Sequence, residues 1–342
     1  MPQSPQLFPL AEYWWFYAGF LLLVFGLLAL DLGVFHRRSH AVSMREAGAW
    51  TVVWVSLALA FNVGFYFFMR WRFAVDPRLT AIPGFDPLVA SWRTSLEFLA
   101  GYIVEYSLSI DNIFVFVVVL RYFAVPSELQ HRVLFFGILG ALVSRGIFIA
   151  LGAALLEFEW VIWLFGAFLV FTGVKMMTGG DDGPVEPHER AVIRHFRKHV
   201  PVTGGFHGNS FFVRDTGVLH ATPLFIALLF LEMTDILFAV DSVPAIFGLT
   251  REPLVVFTSN IFAILGLRNL YFLLANAVDK FHFLKYGLGI VLVFVGLKMA
   301  VLNRLWDGHF PIGLSLGFIV GVIGLSIALS LLFPRKAQEE PL

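Results

Sequence analysis

Leu231-Glu232-Met233-Thr234-Asp235-Ile236-Leu237-Phe238-Ala239-Val240-Asp241-Ser242-Val243-Pro244 sets three carboxylates into a run whose flanks are almost wholly apolar. The apolar stretch around it extends over 218–247, more than the roughly 20 residues that cross a hydrocarbon core. An ionised carboxylate at bilayer depth costs about 2.5–3.5 kcal/mol on insertion scales, so acids there mark a working interior. Composition makes that setting the right one. Of 342 residues, 58% are hydrophobic, 14% are charged and mean hydropathy is +0.81. A typical globular chain carries about 25% charged residues, so this is the make-up of an all-α polytopic membrane protein with the lipid bilayer as its solvent.

The same ruler gives nine spans, at 14–35, 47–69, 96–120, 133–156, 160–177, 218–247, 254–276, 284–302 and 310–333. The apolar run after Trp14 has no Lys or Arg ahead of it and reads as a first span, not a signal peptide. The 24 basic and 24 acidic residues cancel, which excludes a basic nucleic-acid binder. With the N-terminus outside, the outer loops hold seven bases, Arg70, Arg72, Arg78, Arg93, Arg251, Lys298 and Arg304, and the inner side holds fifteen. That bias favours N-out, C-in. The polar stretch Thr178 to Val218, with His188, His195, His199 and His207, then becomes a solvated cytoplasmic loop.

A second acidic stretch echoes the first. Glu105 precedes Asp111-Asn112 as Asp235 precedes Asp241-Ser242, six residues in each case. Downstream, Arg145 stands as far from Lys175 as Arg268 does from Lys298, and the same offset pairs Phe148 with Tyr271, Gly166 with Gly289, Phe171 with Phe294 and Gly173 with Gly296. Each copy spans three helices. An odd number inverts the second copy, giving a 3+3 inverted-topology repeat of the kind transporters use, with a substrate site where the copies meet. The chain then divides into an N-terminal pair of spans (1–95), a first three-helix repeat (96–177), a polar loop (178–217), a second repeat (218–303) and a ninth span with its tail (304–342).

Within the spans lie Asp31, Glu97, Glu105, Asp111, Glu232, Asp235, Asp241 and Asp279, with Arg145 and Arg268. Glu97 and Asp279 sit near span ends, where snorkelling accommodates them. Asp31 reads equally well as a helix-pairing residue and as an accessory site residue. Six residues turn an unbroken helix through about 600°, so Glu105 and Asp111 would face different ways. A shared site needs the helix to unwind, and Pro244, which has no N–H for the carbonyl of Val240, offers the means in the second copy.

Carboxylate, amide, hydroxyl and backbone oxygens, with no Cys in the chain, suit a hard divalent cation such as Mn²⁺, Ca²⁺ or Mg²⁺. In that reading Asp111 and Asp241 are direct ligands, Glu105, Glu232 and Asp235 bind the ion or carry protons, and Asn112 and Ser242 complete the shell. Arg145 and Arg268 balance charge when the site is unloaded, or form structural pairs with Glu105 or Asp235. The absence of cysteine excludes thiolate chemistry on this chain. No phosphate loop, nucleophile elbow or HExxH pattern is present, which points to neither an ATP-driven pump nor an enzyme, and to no organic cofactor.

At these residues the sequence resembles the TerC family of integral membrane proteins. The likeness rests on Ala29-Leu-Asp31-Leu-Gly33-Val-Phe35-His36-Arg37, on Glu105 through Asp111-Asn112-Ile-Phe-Val115, and on Phe230 through Asp241-Ser242-Val-Pro244-Ala245. It implies a bacterial inner-membrane protein exporting manganese, as Alx-type members do, with Glu105, Asp111, Asn112, Glu232, Asp235, Asp241 and Ser242 along the ion pathway. Other members are named for tellurium resistance. The rival expectation is a membrane scaffold or stress component acting through the 178–218 loop. Tellurite transport fits poorly, because an oxyanion site wants arginines or helix N-termini.

Overall fold

The computed structural model describes residues 6–31, 44–156, 158–178, 201–215, 218–274, 281–306 and 310–333; for Asp111, Phe114 and Asp215 it describes the backbone only. Asp279, His188, His195 and His199 lie outside these residues. Helices dominate: α1 (Leu10–Leu30), α2 (Met44–Val75), the one-turn α3 (Pro77–Thr80), α4 (Pro87–Tyr122), α5 (Ser127–Leu155) and α6 (Glu159–Thr178). Then come α7 (Pro223–Phe247), α8 (Pro253–Leu265), α9 (Leu267–Leu274), α10 (Leu284–Leu297) and α11 (Ile312–Leu332). Among the described residues eight helices are long and apolar enough to cross a membrane, α10 counted to Leu305; α8 and α9, bent by 41° at one break, make a ninth if they act as one span.

Local sequence sets the helix starts. Proline occupies the first turn of α3, α4, α7 and α8, where its missing N–H costs nothing. Asp86 caps α4 by accepting from the N–H groups of Leu88 (2.8 Å) and Val89 (3.3 Å). At 36 residues α4 is about 54 Å long, well beyond a hydrocarbon core of about 30 Å. Hydropathy alone saw only 96–120, because the first turns carry Ser91, Arg93 and Thr94.

Two expectations are corrected at the sixth span. Its helix starts at Pro223 and not at 218, because Val218–Ala221 forms strand β2, antiparallel to β1 (Phe212–Asp215). Thr222 fastens this hairpin, its hydroxyl donating to the carbonyl of Ser210 at 2.8 Å. Neither α4 nor α7 unwinds: α4 runs unbroken through Asp111, and α7 runs through Pro244 to Phe247. Pro244 lies one turn from the end of α7, so the helix loses one hydrogen bond with little chain beyond it to bend. The break falls instead at Gly266, between α8 and α9, and α10 passes into a π-helical turn at Lys298–Leu302.

Lys298 is a third correction. It is not a loop base but a buried residue on that π-helical turn, its Nζ 3.4 Å from the carbonyl oxygen of Leu249. The outer tally of bases falls accordingly from seven to six.

One end of the bundle gathers the N-terminus, the α2–α4 link and the α7–α8 corner. Leu7 and Phe8 donate their backbone N–H groups to Glu252 at 3.0 and 3.3 Å, and Thr250 donates to Glu97 at 2.6 Å. Between the ends, Phe20, Phe61, Phe98 and Phe262 pack ring to ring at 4.8–6.3 Å around α8. The tightest helix crossing joins α6 to α10. A Cβ added at Gly166 would come 3.0 Å from the carbonyl oxygen of Gly296, and one at Gly173 would come 2.5 Å from that of Gly289. Only glycine permits backbones this close, as in other small-residue crossings in membranes.

Candidate functional site

Midway along the bundle, α4, α5, α7 and α8 each contribute polar side chains to one buried cluster. Arg145 of α5 is its centre. One guanidinium nitrogen, Nη1, donates to Glu105 Oε1 of α4, to Ser242 Oγ of α7 at 3.0 Å and to Asn260 Oδ1 of α8 at 3.3 Å. The other, Nη2, donates to Asp235 Oδ1 of α7 at 3.3 Å. Asn260 closes the circle by donating to Glu105 Oε2 at 3.1 Å, and Ser144 donates to Asp235 Oδ2 at 3.3 Å. Glu105, Arg145, Asp235, Ser242 and Asn260 are at most 3% exposed.

The helical repeat explains who joins. Asp235 and Ser242 are seven residues apart, close to two turns, and share a face of α7. Asp241, six residues from Asp235, turns away. It faces α6, where Thr172 Oγ1 donates to it at 3.5 Å and Lys175 is near enough to act on it electrostatically. Glu232 lies half-buried against Gly140 of α5, where an added Cβ would overlap its carboxylate. Asn112 is buried on α4.

Arg268 departs from the expectation that it would meet Glu105 or Asp235. It donates to Asp31, the residue that ends α1, at 2.6 Å, a partner 237 residues away. Among the expected site residues with described side chains, the structure thus brings together Glu105, Asp235, Ser242 and Arg145, sets Glu232 and Asp241 on other faces of α7, and pairs Arg268 separately with Asp31. Among the described residues no group of three His, Asp or Glu side chains is arranged to hold a metal ion. The guanidinium of Arg145 lies between the carboxylates of Glu105 and Asp235.

Asn260, Ser144 and Thr172 were missed from sequence. Asn260 had a signal: Thr258-Ser259-Asn260 is a polar triplet within the apolar run of α8, and all three are fully buried.

Residues 90–338 match the model of the integral membrane protein TerC family. The chain belongs to the TerC family. An uncharacterised membrane protein of Myxococcus xanthus is 48% identical over 322 residues, covering 94% of this chain and 93% of its own. Proteins of Shigella flexneri and Escherichia coli K12, each named as a candidate membrane-bound redox modulator, Alx, are 42% identical over 319 residues, covering 92% of this chain and 93% of theirs. No solved structure matches. Helices α5, α7 and α8, and α4 from its second turn onward, fall inside the TerC match, whereas Asp31 precedes it.

Proposed function

We propose that this TerC protein is a secondary transporter that exports Mn²⁺, or a similar hard divalent cation such as Ca²⁺ or Mg²⁺, in exchange for protons. The observation that carries the reading is the meeting of Glu105 and Asp235, from the first helices of the two three-helix units, on one buried Arg145. Two buried acids held by one cation are a site in its unloaded form. Arginine cannot discard its proton in a protein, so loading requires the guanidinium to withdraw from the carboxylates as the metal arrives. Asn260 and Ser242, freed by the same movement, offer neutral oxygens of the kind such ions accept. Asp241, beside Thr172, and Glu232, beside Gly140, lie on the same helix as Asp235 and serve as neighbouring stations for ion or proton.

Support for an inverted repeat comes from the glycine seam. Sequence matching pairs Gly166 with Gly289 and Gly173 with Gly296, and the contacts run Gly166 to Gly296 and Gly173 to Gly289. Exchanging the copies turns one contact into the other, as a two-fold axis in the membrane plane requires. The positive-inside bias favours an outer N-terminus and a cytoplasmic C-terminus, and the bacterial relatives favour an inner membrane. With no cysteine in the chain, a redox effect like that in the relatives' name would arise here through the ion carried and not through its own thiols.

The test is reconstitution in liposomes holding a Mn²⁺-quenched dye. The intact protein should quench it in a manner driven by a pH gradient, while Glu105→Gln, Asp235→Asn and Asp241→Asn should not. Flux at the parent rate in all three variants would overturn the assignment. Replacing the 178–218 loop separates the rival reading: a scaffold working through that loop loses its function in cells, whereas a transporter keeps its ion flux.

A further inference from the structure

The break between α8 and α9 faces a set of buried polar atoms that the cation site does not use. Contacts fix their register. A Cβ at Gly48 of α2 would lie 3.8 Å from Leu273 Cδ1, and one at Gly266 would lie 3.6 Å from Trp54 Cβ and 3.4 Å from Tyr106 Cε2. Helix α2 therefore runs antiparallel to α9, with Thr51 level with Asn269 and Trp54 level with Gly266, while Tyr106 of α4 closes the third side. In this seam Thr51 Oγ1, Trp54 Nε1, Tyr106 Oη and Asn269 Nδ2 are all buried without a hydrogen-bond partner among the described residues. Trp54 and Asn269 are 3% and 1% exposed.

Buried polar atoms in native proteins are almost always satisfied, and one orphan in a seam would be an isolated defect. Four from three helices, grouped at a helix break, point to a shared ligand. The indole and amide N–H groups need an acceptor, and the two hydroxyls can give or take a proton. A charged ligand is disfavoured, because Arg268 beside this seam already has Asp31 as its counter-ion. Water meets every requirement: it accepts from nitrogen, donates to hydroxyl oxygen, and commonly makes about three hydrogen bonds when buried. Broken helices at membrane depth are tolerated where they line such hydrated space.

We infer that Thr51, Trp54, Tyr106 and Asn269 bind a cluster of ordered water at the Gly266 break, a polar chamber separate from the Arg145 cluster. The chamber runs from the level of Thr51 to Tyr106, whose chain neighbour is Glu105. Its use as a path for protons to that carboxylate rests on the proton-exchange reading above; the presence of water does not.

Hydroxyl-radical footprinting of the unaltered protein tests this directly, because radicals generated from water oxidise the side chains that touch it, in a closed chamber as well as at the surface. Trp54 and Tyr106 should take up oxygen, while the lipid-facing aromatic Phe171, which is 66% exposed on the outside of the bundle, stays unmodified. Protection of both Trp54 and Tyr106, or modification of Phe171 to the same extent, would overturn the inference whatever the protein transports.

Discussion

Replacing Arg145 with Met tests what holds the centre of the bundle together. The change keeps an unbranched apolar stem and removes every polar contact of the guanidinium. Glu105, fully buried, and Asp235, 3% exposed, would be left as two acids without a counter-charge. Removing one partner of a buried ion pair costs about 3–5 kcal/mol. Ser242 and Asn260 also lose a donor, each worth about 1 kcal/mol, but contributions within one network do not add, so 3–5 kcal/mol is the expected total. Against a usual stability of about 5–15 kcal/mol that is a large share, and thermal unfolding in detergent should show it plainly. Arg145→Lys should fall between, because a single ammonium cannot fork to both carboxylates. The decisive arm is rescue: adding Glu105→Gln and Asp235→Asn to Arg145→Met removes the unpaired charge and should restore most of the loss. A single Arg145→Met variant within about 1 kcal/mol of the parent would refute the view that the guanidinium holds these acids.

Other outcomes follow from the same contacts. Gly173→Leu and Gly289→Leu should each destabilise by at least about 1–3 kcal/mol by forcing α6 from α10, whereas Gly64→Leu, with open space around it, should change little in the same unfolding assay. Gly140→Ala displaces the Glu232 carboxylate, so it should slow ion flux in liposomes more than it lowers the unfolding temperature. Burial, with Glu97 beside it, raises Glu252 from an ordinary 4.5 to about 7, although the Leu7 and Phe8 N–H groups oppose the shift. A carboxyl raised on folding contributes stability that is full below its unfolded value and lost as pH rises through the folded one. Unfolding temperature should therefore fall between pH 4.5 and 7 in the parent, and Glu252→Gln should flatten that part of the profile.

Hydropathy made the spans legible because lipid leaves a long apolar run few other uses. It could not see the polar overhangs of α2 and α4, which carry Arg70, Arg72 and Arg93 outside the apolar window. The β1–β2 hairpin was hidden because Val218-Leu219-His220-Ala221 runs directly into the apolar helix that follows. Pro244 drew attention as a breaker, yet the chain bends at Gly266, where α2 and α4 crowd the backbone and fix the angle through contacts far away in sequence. The internal echo singled out Glu105 and Asp235 and allowed Arg145 as their partner, but it also drew in Asp241, which turns away towards α6 because six residues do not complete two turns of an unbroken α7. The Arg268–Asp31 pair was not legible, since the repeat argued for a partner on α7 and nothing local to either residue names the other.

The Gly166–Gly296 and Gly173–Gly289 contacts leave α6 and α10 no room to approach and no intervening side chains to compress. Helices joined in this way can swivel about their line of contact but do not part without exposing backbone. If the two halves of the molecule tilt against each other in a working cycle, this line is the axle. Spin labels across α6 and α10 should then hold one distance throughout the cycle, while labels across α5 and α7, on the far side of Arg145, should report two.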